Sequence, residues 1–194
     1  MPTIRFALVL QLLISCSILA QDPSANGANN KLVLLDAINV SGTRVPPASV
    51  IRLSGLKVGD KVNDPITNAA CHRITSTGLF KSIDYEYALY SDRPGVALTL
   101  KLLDEAPTLP AEIKPPEDND VLWQALQALD PLFAPQLPAT EKAIRFYETN
   151  IDRILKDKGR EGEYCGSRVI GDQSGKPVRI VFEIRKYKTA SKPR

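Results

Sequence analysis

The sequence predicts an α+β fold built as two tandem units, each ordered strand, helix, helix, strand, strand. Two stretches with apolar residues at helical spacing end at Gly78 and Gly159, which lie 81 residues apart. Each glycine precedes a pair of strand-like runs, "SIDYEYALY" with "VALTLKLLDE" and "EYCGSRVIG" with "PVRIVFEI". The last run of each half opens at Val96 or Val178, 82 residues apart, so the halves follow one plan. With 194 residues and 43% hydrophobic content, the chain can bury a core in each half.

Folded structure is expected from Lys31. "KLVLLDAINVSG" is rich in Val, Leu and Ile and closes at Gly42, as a strand buried on at least one face does. "PPASVIRLSGLKVGD" follows, with a short helix running into a turn at Gly55 and Gly59. The next helix takes Asp64 as N-cap and Pro65 as its first residue, then sets Ile66, Ala69, Ala70 and Ile74 at helical spacing before Gly78. Beyond Leu79 and Phe80, a strand over Ile83–Tyr90 alternates Ile83, Tyr85, Tyr87 and Leu89 with Asp84, Glu86 and Ala88. The run from Val96 to Glu105 is more continuously apolar, as befits a central strand.

The proline-laden "APTLPAEIKPPEDND" then reads as a hinge or semi-rigid spacer, with "AEIK" as a candidate first strand of the second half. Val121, Leu122, Ala125, Leu126 and Leu129 form a helical stripe from Asp120. A stronger helix is expected from Ala139 to Lys158, with Ile144, Tyr147, Ile151, Ile154 and Leu155 on its apolar face. The resulting division is 1–20 leader, 21–30 polar linker, 31–105 first unit, 106–118 proline-rich linker, 119–186 second unit and 187–194 basic tail.

The opening "MPTIRFALVLQLLISCSILAQD" has one charge at Arg5 and an apolar run from Phe6 to Ile14, the layout of a secretory signal peptide. Three processing routes stand open: cleavage after Ala20, lipidation at Cys16 in the lipobox-like "LISC", or retention as an anchor. No other run reaches the roughly 18 apolar residues of a membrane helix, so membrane contact is expected to be peripheral or through the N-terminus. Without Arg5 the chain holds 24 basic and 22 acidic residues, a balance that selects no partner. Only "RKYKTASKPR" at the end is one-signed, either a solvated tail or an attraction to phosphate-rich surfaces; a nucleic-acid partner is not expected.

Catalytic and metal constellations are not legible. His72 is the sole histidine, and its neighbour Cys71 sits about a hundred degrees round the helix, out of reach for a nucleophile–base pair. "GLKVGDK" and "GDQSGK" lack the Gly-Lys-Ser/Thr of a phosphate loop, and no paired cysteine spacing suggests a metal. Neither a cofactor nor an enzyme activity is expected. Cys71 and Cys165 are either two buried thiols or one disulfide.

Four motifs in order, "INVSG", "SGLKVGDKV", "GLFKSID" and "VALTLKLLDE", make the first half similar to a POTRA (polypeptide-transport-associated) domain. The second half resembles it more loosely, without the Leu-Phe after its glycine. The resemblance implies two small mixed three-stranded sheets, each covered by a helix pair, in a periplasmic protein of the outer-membrane assembly factor or bacterial surface antigen type. Gly42, Gly55, Gly59, Gly78, Leu79, Phe80 and Gly159 would define the fold.

Such domains usually precede a β-barrel, and the residues after the second unit are too few for one. The expected partners are therefore outer-membrane proteins, a separate β-barrel protein or unfolded polypeptide segments. The resemblance also implies an edge position for the strand of Ile83, Asp84, Tyr85, Glu86, Tyr87, Ala88, Leu89 and Tyr90. An edge can accept an extended peptide as a further strand, or it can simply be guarded by its acids. The other reading of the whole is a structural adaptor joining two envelope proteins, tethered through Cys16.

Overall fold

The computed structural model describes residues 31–187 apart from Arg93; the leader with Cys16, the 21–30 linker and the tail beyond Tyr187 lie outside the described residues. The first unit runs β1 (Val33–Ser41), α1 (Pro47–Ser54), β2 (Lys61–Val62), α2 (Asp64–Ser76), β3 (Phe80–Leu89) and β4 (Val96–Asp104). The second repeats the order with β5 (Thr108–Lys114), α3 (Pro116–Leu129), β6 (Gln136–Pro138), α4 (Glu141–Asp157), β7 (Glu163–Gly171) and β8 (Pro177–Lys186). The fold is α+β and duplicated.

Each sheet has four strands where three were expected, in the orders β2-β1-β4-β3 and β6-β5-β8-β7. The added strands are too short to show a period of two in the sequence. Val62 of β2 is fully buried and pairs with Val33, which caps the far edge of the first sheet. The last strand of each unit is central, parallel to the first and antiparallel to its own hairpin partner. That position explains the apolar run of β4, where Val96, Ala97, Leu98, Leu100 and Leu102 are all buried.

Several boundaries differ from the sequence reading for local reasons. Asn63, not Asp64, is the N-cap of α2: its backbone is extended and its side-chain oxygen accepts from the Ile66 N–H at 3.1 Å. Asp64 instead occupies the first turn, where its charge favours the helix dipole. Helix α3 begins at Pro116 rather than Asp120, and α4 spans Glu141–Asp157 rather than Ala139–Lys158, with Thr140 as its N-cap. Within 106–118, Thr108–Lys114 form β5, which pairs with β8 and β6; it contains the expected strand Ala111–Lys114 and starts three residues earlier.

The α4 stripe packs onto its sheet; of the expected α2 stripe only Ala70 and Ile74 are buried, Ile66 and Ala69 being exposed, and of the α3 stripe Val121 and Leu129 are exposed. Tyr147 of α4 stacks on Phe182 of β8 with ring centroids 6.1 Å apart and meets Phe133 edge-on at 5.0 Å. Arg160, after α4, donates two parallel hydrogen bonds to Asp118 of α3 at 2.7 and 2.8 Å and a third to Glu163 of β7 at 2.7 Å. One guanidinium thus ties the two helix ends to the edge hairpin. Hydrogen bonds from Arg160 hold the Asp118 carboxyl below the ordinary carboxylate range.

The buried side chains of both units form one contiguous cluster, and polar contacts lock the junction. Asp130, at the end of α3 and only 5% exposed, accepts from the Ser49 hydroxyl of α1 at 2.5 Å and from the Leu132 N–H at 3.0 Å. Arg52 of α1 lies 3.4 Å from its other oxygen. The Thr140 hydroxyl accepts from the Ala143 N–H and donates to the Gly78 carbonyl, both at 3.2 Å. Gly78 has φ +70°, and a Cβ there would stand 2.4 Å from the Ala143 nitrogen. The loop after α2 therefore touches the start of α4 backbone to backbone.

Two stability outcomes follow. Gly159 shares the left-handed backbone, at φ +72°, but a Cβ there meets nothing within 4 Å. Gly159→Ala should cost about 1 kcal/mol from backbone strain alone. Gly78→Ala should cost clearly more, because α4 must also move away, and urea denaturation of the two variants measures the difference. For Asp118 the folded-state pKa lies below the unfolded one, so its contribution is present above about pH 3.9 and is lost as pH falls through the folded value. Asp118→Asn should remove that part of the acid dependence, seen as a flatter fall of the urea midpoint on acidification.

Candidate functional site

The predicted binding strand lies at an open edge of the first sheet. β3 pairs along its length with β4, and among the described residues no strand lies on its other side. It runs from Phe80 to Leu89, beginning three residues earlier than predicted and leaving Tyr90 just outside. Phe80 and Leu79 are buried, at 4% and 8% exposure, so they anchor the strand's start beneath α2 and are closed to a ligand. A register shift between Phe80 and Ser82 sets the alternation for the rest.

Alternation places Ile83, Tyr85 and Tyr87 toward the helices. The Tyr87 hydroxyl lies 2.6 Å from that of Thr67, and the Tyr85 hydroxyl donates to Asp64 at 3.4 Å, both partners being on α2. The two rings meet edge-to-face at 5.6 Å. Burial, with the Asp64 charge second, pushes the Tyr85 phenol up to about 12, and burial raises Tyr87 as well. Both stay protonated across physiological pH and hold the edge strand to the helix layer. The backbone is thereby kept extended before any partner arrives.

On the opposite face Asp84 stands across from Lys101, while Glu86 accepts from the Lys101 ammonium at 2.6 Å. Two acids here face one cross-strand cation, Lys101. Leu89, at the far end, is 80% exposed. The edge therefore offers backbone groups flanked by acids on one face and half-buried tyrosines on the other.

The remaining predicted residues are structural. Gly42, Gly55, Gly59 and Gly159 have positive φ and lie away from β3, while Gly78, also at positive φ, leads into its start. His72 is exposed on α2 beside buried Cys71. Burial, then the Asp84 charge, raises the Cys71 thiol, and burial raises Cys165 strongly, so both are protonated and poor nucleophiles. They are free thiols in different units. Among the described residues no three His, Cys, Asp or Glu side chains gather as metal ligands, and no helix is long and apolar enough to cross a membrane.

Sequence reasoning passed over a second open edge. β7 stands in the second sheet where β3 stands in the first. The offset of 81 residues between Gly78 and Gly159 points to it directly.

No protein-family model matches the chain, nor does any curated protein. Among solved structures it is similar to POTRA domains 1–3 of the periplasmic domain of Omp85 from Anabaena, at 15% identity and TM-score 0.40, covering 79% of this chain and 61% of that one. POTRA domains 1–2 of the same protein are 13% identical with TM-score 0.40, covering 82% of this chain and 99% of that one. POTRA domains 3–5 of Haemophilus influenzae BamA are 14% identical with TM-score 0.37, covering 82% and 67%.

Proposed function

We propose that this chain is an exported, non-catalytic scaffold of two POTRA-like units that binds extended polypeptide in outer-membrane protein assembly or transport, with β3 as the receiving edge. The observation that carries the reading is the ten-residue strand β3, open on one side and held extended by α2 through Tyr85 and Tyr87. A strand in that state presents N–H and C=O groups that an incoming segment can pair without ordering the receptor first. The sequence motifs of the first half and its leader support the compartment and the client class. Buried, protonated thiols and a solitary histidine support a role without chemistry.

The acids on the exposed face add a preference. A segment that places Lys or Arg on one face and apolar groups on the other matches Asp84 and Glu86 and extends the Tyr85–Tyr87 row. Backbone NMR during titration of the full chain with an unfolded outer-membrane protein fragment tests the reading. Amides within Ile83–Leu89 are expected to shift first, with those of central β4 moving little. Still β3 amides at saturating fragment would remove the edge from consideration. Asp84→Lys should weaken a basic fragment and strengthen an acidic one.

A further inference from the structure

The two sheets share one plan, yet among the described residues their uncovered faces differ in charge: on the first, Asp84 and Glu86 are matched by Lys101 and Lys61, while the second is basic. On the first sheet this face presents Asp84, Glu86 and Lys101 among small or neutral residues such as Asn39, Ser41, Ser82 and Thr99. On the second, Lys114, Arg168, Arg179 and Arg185 lie together, as their shared ion pairs show: Arg168 and Arg185 to Glu183, and Lys114 and Arg179 to Glu112. Four cations share two carboxylates. Nothing in the common fold requires this, since the first sheet stands without it.

The cations also lie outermost. Side-chain exposure is 54% for Arg168, 50% for Arg179, 47% for Arg185 and 43% for Lys114, against 25% for Glu183 and 37% for Glu112. One Glu112 oxygen is buried with no hydrogen-bond partner, 3.5 Å from Lys114 and 3.6 Å from Arg179. Arg185 lies across Gly166, where a Cβ would stand 3.0 Å from its guanidinium, so the missing side chain keeps it flat on the sheet. Val181 in the middle of this face is only 1% exposed, roofed by its charged neighbours.

At one end the Tyr164 and Tyr187 rings meet with centroids 4.8 Å apart, and Tyr187 is 60% exposed. The sequence then continues with Lys188, Lys192 and Arg194 and no acid. Excess cations over shielded acids, a pair of tyrosines at the margin and a basic continuation are the features of a surface that meets lipid headgroups. We propose that the uncovered face of the second sheet docks on an anionic lipid bilayer, with Arg168, Arg179 and Arg185 engaging headgroup phosphates. The paired tyrosines, with polar tips and apolar bodies, suit the headgroup level, and their rings lie tilted against each other instead of offering separate platforms for nucleic-acid bases.

The basic face lies on the second sheet and the β3 edge on the first, so lipid binding and peptide titration of β3 are read independently. The full chain is tested by co-sedimentation with vesicles of phosphatidylcholine mixed with phosphatidylglycerol and with vesicles of phosphatidylcholine alone. Binding is expected only to the mixed vesicles and should weaken with added salt. Replacing Arg168, Arg179 and Arg185 together by Gln should lower affinity by about a hundredfold. Replacing them by Lys should retain most of it. An equal charge loss on the helix side, Arg145→Gln, Arg153→Gln and Lys158→Gln, should leave it unchanged.

Equal binding to both vesicle types would overturn the proposal, and so would undiminished binding by the Gln variant. A helix-side variant as weak as the sheet variant, or a Lys set as weak as the Gln set, would do the same. Preference for a single-stranded oligonucleotide over the mixed vesicles at equal salt would transfer the face to another class of partner and overturn it too.

Discussion

The close approach of Gly78 to the first turn of α4 is the constraint on which the two-unit arrangement depends. A left-handed residue without a Cβ lets the loop after α2 lie against the Ala143 nitrogen, and the Thr140 hydroxyl then serves both units at once. Asp130 works on the α1 side of the same junction, its buried carboxylate met by Ser49 and Arg52 of the first unit. Leaving such a carboxylate without partners would be costly, so the units are held by satisfied polar groups as well as by a continuous apolar cluster. The molecule is better described as a pair of fused units than as beads on a spacer.

That fusion has consequences for the surfaces. Each sheet uses one face for its helices and leaves the other to solvent, and each exposes a long hairpin strand at one edge while a two- or three-residue strand closes the opposite edge. Duplication therefore supplies two edges and two faces in fixed relation. Substitutions at these surface positions leave the core untouched, which lets the copies diverge in charge while keeping the fold. The second copy carries a basic cluster across β7 and β8 that the first lacks.

Much of the fold was legible because it follows periodicity. The Ile83–Tyr85–Tyr87 alternation, the continuous apolar run of β4 and the strong stripe of α4 each report burial directly. What escaped notice was set by other rules. Lys61–Val62 is too short to alternate, and of β5 only Ala111–Lys114 was legible, the start at Thr108 lying among prolines that read as breakers. Asn63 and Asp64 are both good caps, and only the extended backbone at Asn63 chose between them. At the candidate site, the edge strand was identifiable but its attachment to α2 was not, since Thr67 and Asp64 carry no mark of their partners Tyr87 and Tyr85.

The sequence by itself determined the class of fold, the duplication and much of the core, because local spacing and hydrophobic pattern are written into neighbouring positions, although Ile66, Leu89, Val121, Leu129 and Val178 on the expected apolar faces are exposed. It also marked Gly78 as a helix stop. Only the tertiary structure decided that Gly78 is the seam between units and that Asp130 is a shared carboxylate. The gathering of Lys114, Arg168, Arg179 and Arg185 on one face was decided there too. Those facts join residues far apart in the chain, and pairing register, rather than any local pattern, determines which of them meet.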